Sequence, residues 1–252
     1  MSSFGSDPAK SDRLPQAVWE SVAKKKIYFG HMSVGTNILD GIHDLEREGQ
    51  VQLNIVETSD PAAFEMAIFA HSPIGENARP RTKIDRFRTI LESGVGAKAD
   101  VALFKFCYVD IDGGTDIEAL ISANGKTIED LQARYPKLTV AVVTAPLTAV
   151  PTGLKARLKK WLGRGEPDKA ANAKRTLFNV RLRETYGDRV FDLAALESTR
   201  PTGERVTFGT EGRMSEALEP SYTDDGGHLN AAGRTFVAAG LLRFLAGLGA
   251  RA

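Results

Sequence analysis

Short apolar runs alternate along this chain with longer segments in which apolar residues recur every three or four positions. The short runs predict β-strands, because they are brief and are bounded by polar residues and glycines. They lie at residues 26–30 (KIYFG), 51–57 (VQLNIVE), 100–106 (DVALFKF), 138–146 (LTVAVVTAP) and 188–194 (DRVFDLA). The longer segments have the period of amphipathic helices. They lie at residues 36–48, 80–93, 115–134, 168–186 and 230–248.

Several of the short runs are apolar at consecutive positions, which is typical of strands that helices cover on both faces. The pattern therefore predicts the α/β class, as a three-layer α/β/α domain around a mostly parallel sheet of about five strands. A chain of 252 residues suffices for one such domain, whereas two would both be small. We expect this single domain over residues 24–250, after a flexible N-terminal leader over residues 1–23.

One segment, at about residues 153–175, departs from the general composition. It is rich in Lys and Arg, is broken by Gly and Pro, and contains Trp161 and Leu162. We interpret it as an excursion from the domain. It is either a solvated helix whose apolar face packs on the domain or a mobile lid or docking element.

The charge and cysteine content exclude several classes of function. Lys and Arg total 33 and Asp and Glu total 32, so no global field recruits nucleic acid or an anionic membrane. The one cysteine, Cys107, excludes an internal disulfide and a thiolate zinc cage. Its apolar surroundings favour a buried, inert thiol.

No apolar run approaches the ~20 residues that span a bilayer, and the N-terminus has no apolar core of a signal peptide. As written, the chain is expected in the cytoplasm, or in the periplasm or outside the cell if an export signal has been removed. No pattern indicates the oligomeric state.

Two phosphate-binding motifs are incomplete. The sequence NGKT ends like a phosphate loop, but the required glycine five residues before Gly125 is Leu120. Gly94 and Gly96 have the dinucleotide-binding spacing yet precede a predicted strand. We therefore expect no nucleotide cofactor.

Residues 30–35 (GHMSVG) lie where the first predicted strand turns into a helix. Such a turn exposes the Ser33 hydroxyl beside the free N–H groups of the helix start. This geometry suits a nucleophile, an anion site or a simple helix cap.

The sequence SYTDDGGHLNAAGR, residues 221–234, contains Asp225 and His228 three positions apart in a glycine-bearing loop. The carboxylate can therefore reach the imidazole and fix its tautomer, which makes His228 a candidate base. Alternatively, Asp224 or Asn230 caps the last helix and His228 is a surface residue.

Together, Ser33 and the pair of Asp225 and His228 resemble the SGNH (GDSL-like) hydrolase superfamily over about residues 26–245. In that family an early serine after the first strand is the nucleophile, and a late D-x-x-H supplies acid and base. DGGHLNAAG, residues 225–233, is similar to the late block. HSPIGEN, residues 71–77, resembles the second block, whose glycine, here Gly75, offers a backbone N–H to the oxyanion.

The chain departs from the family in two blocks. His31 and Met32 replace the residues that usually precede the serine. In the third block Val109 stands where the family has an oxyanion-binding asparagine, and only Asp110 is retained. Asn77, two residues past Gly75, is a candidate substitute, or else an ordinary turn residue.

The resemblance implies a serine esterase that works through an acyl-enzyme without metal or cofactor. It also implies a flavodoxin-like fold. His31 and His71 both lie in the loops expected to frame the site, where each is either a structural residue or a candidate to bind substrate. The implied substrate is a carboxylic ester, small or on a carbohydrate, with an acetyl ester preferred by analogy.

Other hypotheses remain beside this one. The same scaffold supports an O-acetyltransferase, and the missing asparagine suggests a non-catalytic carbohydrate-binding relative. A metal-dependent phosphoesterase would use a set of His and Asp ligands. That set is His31, His71, Asp224, Asp225 and His228.

Overall fold

A parallel sheet forms the centre of the computed structural model, which describes residues 14–49, 51–150, 167–210 and 212–249. Within these residues six strands lie in the order β2-β3-β1-β4-β5-β6. They are β1 Lys26–His31, β2 Ile55–Glu57, β3 Ile68–Pro73, β4 Val101–Phe104, β5 Thr139–Val143 and β6 Val190–Phe191. All the pairings between neighbouring strands are parallel, as predicted.

The sheet has one strand more than the five predicted runs, because β3 was not recognised. Its apolar residues belong to the run at residues 66–70 (MAIFA), and polar residues and a proline follow at once. It lies between β1 and β2 and pairs with both. A separate antiparallel hairpin of β7 Thr207–Thr210 and β8 Arg213–Glu216 was also not predicted.

Helices cover both faces of the sheet and make the predicted three-layer α/β/α fold. The α-helices of the described residues are α1 Gln16–Val22, α2 Val34–Gly49, α3 Pro80–Ile90, α4 Gly96–Lys98, α5 Ile117–Arg134, α6 Pro167–Tyr186, α7 Leu193–Glu197 and α8 Ala231–Gly247. One core cluster joins α1, α2 and α8 to the side chains of Ile27 and Phe29. The other joins α3, α5 and α6 to Tyr28, the strand residue between them. This alternation follows from the two-residue period of β1.

Part of the predicted leader, residues 14–23, packs against the domain. Helix α1 buries Trp19 and Val22 in the first core cluster, and the Ser21 hydroxyl donates to the carbonyl of Ala246 at 3.1 Å. Residues 14–23 therefore belong to the domain, because an amphipathic turn can bury its apolar face against α8. Residues 1–13 lie outside the described residues.

Most of the basic excursion, residues 153–166, also lies outside the described residues. Residues 167–175 begin α6, where Asn172 and Arg175 are buried. Among the described helices, none combines the length and the apolar character that crossing a membrane requires.

Strand β1 is central and determines where a site can form. The N–H of Ile74, just after β3, donates to the carbonyl of His31, and the N–H of Lys105, just after β4, donates to that of Gly30. The connection from β1 leads to β2 on one side of it and the connection from β4 leads to β5 on the other side, and such a reversal leaves a crevice at the carboxyl ends of the two strands. Ligands of open α/β sheets bind at this kind of switch point.

Candidate active site

Ser33 lies in the crevice, between the end of β1 and the start of α2. Its φ is +54°, a left-handed conformation that is rare for a residue other than glycine. The turn is held by the N–H of Thr36, which donates to the Ser33 carbonyl at 2.7 Å. The Ser33 N–H forms no hydrogen bond to another described residue. A strained conformation of this kind persists where the surrounding structure imposes it, and is frequent at functional sites.

The structure brings Ser33 together with His228 and Asp225, which are remote from it in sequence. The Ser33 Oγ lies 2.6 Å from Nε2 of His228, and Nδ1 of the same ring lies 2.6 Å from Oδ2 of Asp225. The side chains of His228 and Asp225 are 43% and 57% exposed. The Asp225 end of this hydrogen-bonded chain is therefore accessible to solvent.

Asp225 is held as a carboxylate. The N–H groups of Gly227 and His228 both donate to its Oδ1 at 2.8 Å. These hydrogen bonds hold the pKa of Asp225 well below its usual range. The bond from the Gly227 N–H has the largest effect, and those from the His228 ring and the His228 N–H follow. An ionised carboxylate at Nδ1 retains the proton there, so Nε2 of neutral His228 is left to accept one from Ser33.

The loop that carries these residues is fixed by distant parts of the chain. The N–H of Ala149 donates to the Gly226 carbonyl at 2.8 Å, and the N–H of Leu229 donates to the side chain of Asn37 on α2 at 3.2 Å. The Tyr108 ring meets the His228 ring edge-on at 5.6 Å. Sequence reasoning missed Asn37 and Tyr108, because these contacts arise only when the elements are assembled.

Gly75 lies directly beyond β3, beside the turn of Ser33. Its φ is +55°, and a Cβ there would approach the backbone nitrogen of Lys83 to 2.6 Å, so only glycine fits without distortion. Like the N–H of Ser33, the Gly75 N–H donates to no described residue. Two free backbone donors that follow the neighbouring strands β1 and β3 can bind an anion.

Asn77 is exposed at the tip of the same loop, and its side-chain oxygen accepts a hydrogen bond from the Lys83 ammonium at 3.1 Å. Lys83 also contacts Asp110, which accepts from the N–H of Cys107 at 2.6 Å. Cys107 is buried, and its thiol points to the carbonyl of Met32 at 3.6 Å. These contacts join the ends of β3 and β4 across the end of β1.

His31 and His71 lie on strands β1 and β3, so the expectation that they lie in loops was wrong. Nε2 of His31 is 3.1 Å from Nδ1 of His71. Burial, with the nearby His71 and Lys105, lowers the pKa of His31 to about 3, and burial also lowers that of His71. Both rings are therefore neutral at physiological pH. His31 packs beneath Gly35 in the first turn of α2 and on Phe29.

The five proposed metal ligands separate into different contacts. His31 pairs with His71, while His228 pairs with Asp225. Asp224 instead accepts from the Asn230 amide at 3.3 Å. Across the part of the chain that the structure describes, no three His, Cys, Asp or Glu side chains are grouped so that they could hold a metal ion.

No family model and no curated protein sequence matches this chain. Among solved structures it is similar to a protein from Streptococcus pneumonia provisionally described as a platelet activating factor. The identity is 14%, the TM-score is 0.50, and the match covers 90% of this chain and 91% of the other. At this identity the likeness shows a shared fold.

Two further structures align less well. One is the periplasmic domain of a lipopolysaccharide acetyltransferase from Salmonella ser. Paratyphi A, at 14% identity and a TM-score of 0.43, over 88% of this chain and 84% of the other. The second, from Parabacteroides merdae ATCC 43184, is provisionally described as a GDSL-like lipase. Its identity is 12% and its TM-score 0.41, over 88% of this chain and 95% of the other.

Proposed function

We propose that this protein is a serine hydrolase of the SGNH (GDSL-like) type that cleaves a carboxylic ester through an acyl-enzyme. The observation that carries the proposal is the hydrogen-bonded chain from Ser33 through His228 to Asp225, with 2.6 Å at each of its two links. A nucleophile, a base and a group that orients the base, in contact and in this order, are the usual requirements for acyl transfer. The three-layer fold and the order of the sequence blocks support the same assignment.

The first half of the reaction forms the acyl-enzyme. Nε2 of His228 takes the hydroxyl proton while Oγ of Ser33 attacks the ester carbonyl carbon. The carbonyl oxygen becomes an oxyanion, which accepts hydrogen bonds from the free N–H groups of Ser33 and Gly75. His228 then gives its proton to the departing alcohol, and the C–O bond of the ester breaks.

The second half releases the acid. His228 removes a proton from water, which attacks the acyl-enzyme, and Ser33 recovers its proton as the second tetrahedral intermediate collapses. Asp225 stays ionised and stabilises the imidazolium that forms in each half. Because the side chains of His228 and Asp225 are partly exposed, water can reach this end of the site. We propose an acetyl ester on a carbohydrate as the substrate, by analogy with the superfamily.

The proposal predicts that Ser33→Ala lowers kcat on a short-chain nitrophenyl ester by at least about 1,000-fold. The variant should unfold within about 3 °C of the wild type, because it removes one partly buried hydroxyl. Ser221→Ala, which makes the same change at an exposed serine, is the matched control and should retain full activity. Labelling with a fluorophosphonate, read by mass spectrometry, should modify Ser33. Undiminished turnover of the Ser33→Ala protein would refute the proposal.

A chelator separates the metal-dependent alternative from the serine hydrolase. Turnover of the carboxylic ester should be unchanged after treatment with a chelator, since no step of the proposed reaction uses a metal. Chelator-sensitive cleavage of a nitrophenyl phosphate would support a phosphoesterase instead. Inactivity on both substrates would support a binding protein.

A further inference from the structure

A fully buried ion pair lies behind the candidate oxyanion site. The side chains of Lys83 on α3 and Asp110 after β4 have no exposed surface, and Nζ lies 2.5 Å from Oδ2. Removing two charges from water carries a large desolvation penalty, so a buried pair is often no more stabilising than apolar residues of the same size. The contacts of this buried ion pair with the neighbouring loops are therefore more informative than its contribution to stability.

Asp110 ties together two loops that lie on opposite sides of β1. Its Oδ1 accepts from the N–H of Ala78, in the loop after β3, at 2.8 Å, and its Oδ2 accepts from the N–H of Cys107, after β4, at 2.6 Å. In the sheet, β3 and β4 are the two neighbours of β1. The loop of residues 74–79 therefore crosses the carboxyl end of β1, where Ser33 stands.

Lys83 determines which end of the Asn77 amide is free. An ammonium group can only donate, so its 3.1 Å contact requires the oxygen of Asn77. The amide nitrogen of Asn77 then has two N–H donors, and neither bonds to a described residue. The backbone on both sides of Asn77 is constrained, with positive φ at Gly75 and at Ala78. The two free N–H donors therefore belong to an amide whose oxygen is held by Lys83.

We propose that the buried ion pair of Lys83 and Asp110 is a positioning device, which holds the Asn77 amide as a third donor to the oxyanion. This inference rests on the proposed function. Lys83 and Asp110 do not touch the substrate. They act through Asn77, by holding its oxygen and by anchoring the next residue, Ala78. Val109, after β4, has an apolar side chain that cannot donate a hydrogen bond to the oxyanion. A donor from Asn77, after β3 on the other side of β1, is consistent with this.

The decisive comparison is between Asn77→Ala and Asn77→Asp. Asn77→Ala removes the donor, and we expect kcat to fall by about 100-fold with KM within about 3-fold. Asn77→Asp keeps an oxygen for Lys83 but puts acceptors where the N–H groups were, so kcat should fall at least as far. If Asn77 serves only as a partner for Lys83, the aspartate variant will retain wild-type kcat, and the inference is wrong. Asn54→Ala, at an exposed asparagine on the other side of β3, is the control.

Lys83→Met tests the positioning role itself, in the wild-type and in the Asn77→Ala protein. Lys83→Met should lower kcat about tenfold or more in the wild-type protein and hardly at all in the Asn77→Ala protein. The reason is that the effects of two substitutions do not add when one residue acts through the other. Equal losses in both proteins would overturn the inference. If the methionine variants do not fold, the comparison of the two Asn77 variants still decides. An inactive Ser33→Ala protein beside fully active Asn77 variants refutes this inference alone, whereas an active Ser33→Ala protein refutes the proposed function.

Discussion

Asp224 and Asp225 are adjacent carboxylates with different surroundings. Asp225 accepts two backbone N–H groups and the His228 ring, whereas Asp224 accepts only the Asn230 amide, at 3.3 Å. The bonds to Asp225 lower its pKa, so it is ionised throughout the range in which a histidine base works. Replacing each of these two carboxylates in turn therefore tests whether the contact of Asp225 with His228 is needed for activity.

We predict that Asp225→Asn lowers kcat by about 100- to 10,000-fold, because an amide N–H facing Nδ1 favours the tautomer whose Nε2 carries the proton. Such a ring cannot accept the Ser33 proton. Asp224→Asn makes the same change one residue away, and its kcat should stay within about threefold of the wild type. Steady-state kinetics of the two variants provide the measurement. Similar losses in both would mean that the loop, and not the carboxylate at Nδ1, determines activity.

Helices α2 and α8 cross closely, and this crossing positions both halves of the candidate site. Ser33 immediately precedes α2, and His228 lies shortly before α8. At the crossing, a Cβ on Gly41 would overlap the backbone carbonyl of Arg234. Arg234 also donates to Asp44 of α2 at 2.6 Å. A change in the separation of these helices would therefore move His228 relative to Ser33.

We predict that replacing a glycine by alanine has opposite effects on the stability of the protein in α2 and in α5. Gly41→Ala should destabilise the protein by about 2 kcal/mol or more, because the new methyl group forces α2 and α8 apart. It should also lower kcat. Gly125→Ala, inside α5, places the methyl group at an ordinary contact distance, 3.4 Å from the Tyr186 hydroxyl. It should stabilise the protein by about 0.5–1 kcal/mol, because alanine favours a helix more than glycine does.

Urea unfolding and ester turnover of the two glycine variants provide the measurements. A Gly41→Ala protein that is as stable as the wild type would show that the close crossing does not exist in solution. Loss of stability without loss of kcat would show that the crossing supports the fold but does not position the site.

A buried carboxyl group links the stability of the whole molecule to pH. Glu197 is fully buried, and burial raises its pKa to about 8, although the N–H of Leu147 and the nearby Lys105 and Arg175 act in the opposite direction. Its Oε1 has no hydrogen-bond partner among the described residues. The folded state therefore retains a proton on Glu197 that the unfolded chain loses at about pH 4.5. This contribution to stability is fully present below pH 4.5 and is lost as pH rises through about 8.

We predict that Glu197→Gln, which cannot lose a proton, gains stability relative to the wild type as pH rises from 5 to about 8.5. The change across this range should be on the order of a few kcal/mol. The measurement is the melting temperature of both proteins across this range. The lowered pKa of His31 makes stability rise with pH, but this effect is the same in both proteins and cancels in their difference. Glu184→Gln, on the exposed face of α6, is the control. A difference that is constant with pH would show that Glu197 is ionised in the folded protein.

Elements with a long, regular pattern were predicted well. The helix predicted at residues 115–134 is Ile117–Arg134, and the one at 230–248 is Ala231–Gly247. Each begins at a side-chain cap, Asp116 or Asn230, which is a local signal. Elements with short patterns were less reliable. Strand β3 was missed, and the run at residues 188–194 forms only the two-residue strand Val190–Phe191 before α7 begins.

The sequence alone was enough to predict the α/β class, the positions of the five longest described helices and the candidate residues Ser33, Asp225 and His228. It could do so because the turn after β1 and the pair of Asp225 and His228 depend on residues close together in the chain. Only the tertiary structure decided which of the remaining candidates meet. It paired His31 with His71, because β1 and β3 are neighbours in which Phe29 is opposite His71, so that His31, two residues further along, lies diagonally across from His71 on the same face of the sheet.

The tertiary structure also decided how the candidate site is assembled. It brought Oγ of Ser33 to Nε2 of His228 across 195 positions of sequence, and it buried Lys83 with Asp110 behind the loop of Asn77. No local pattern encodes these contacts. They depend on strand order and helix packing, which are set by burial of the whole apolar core and not by the preferences of any one segment.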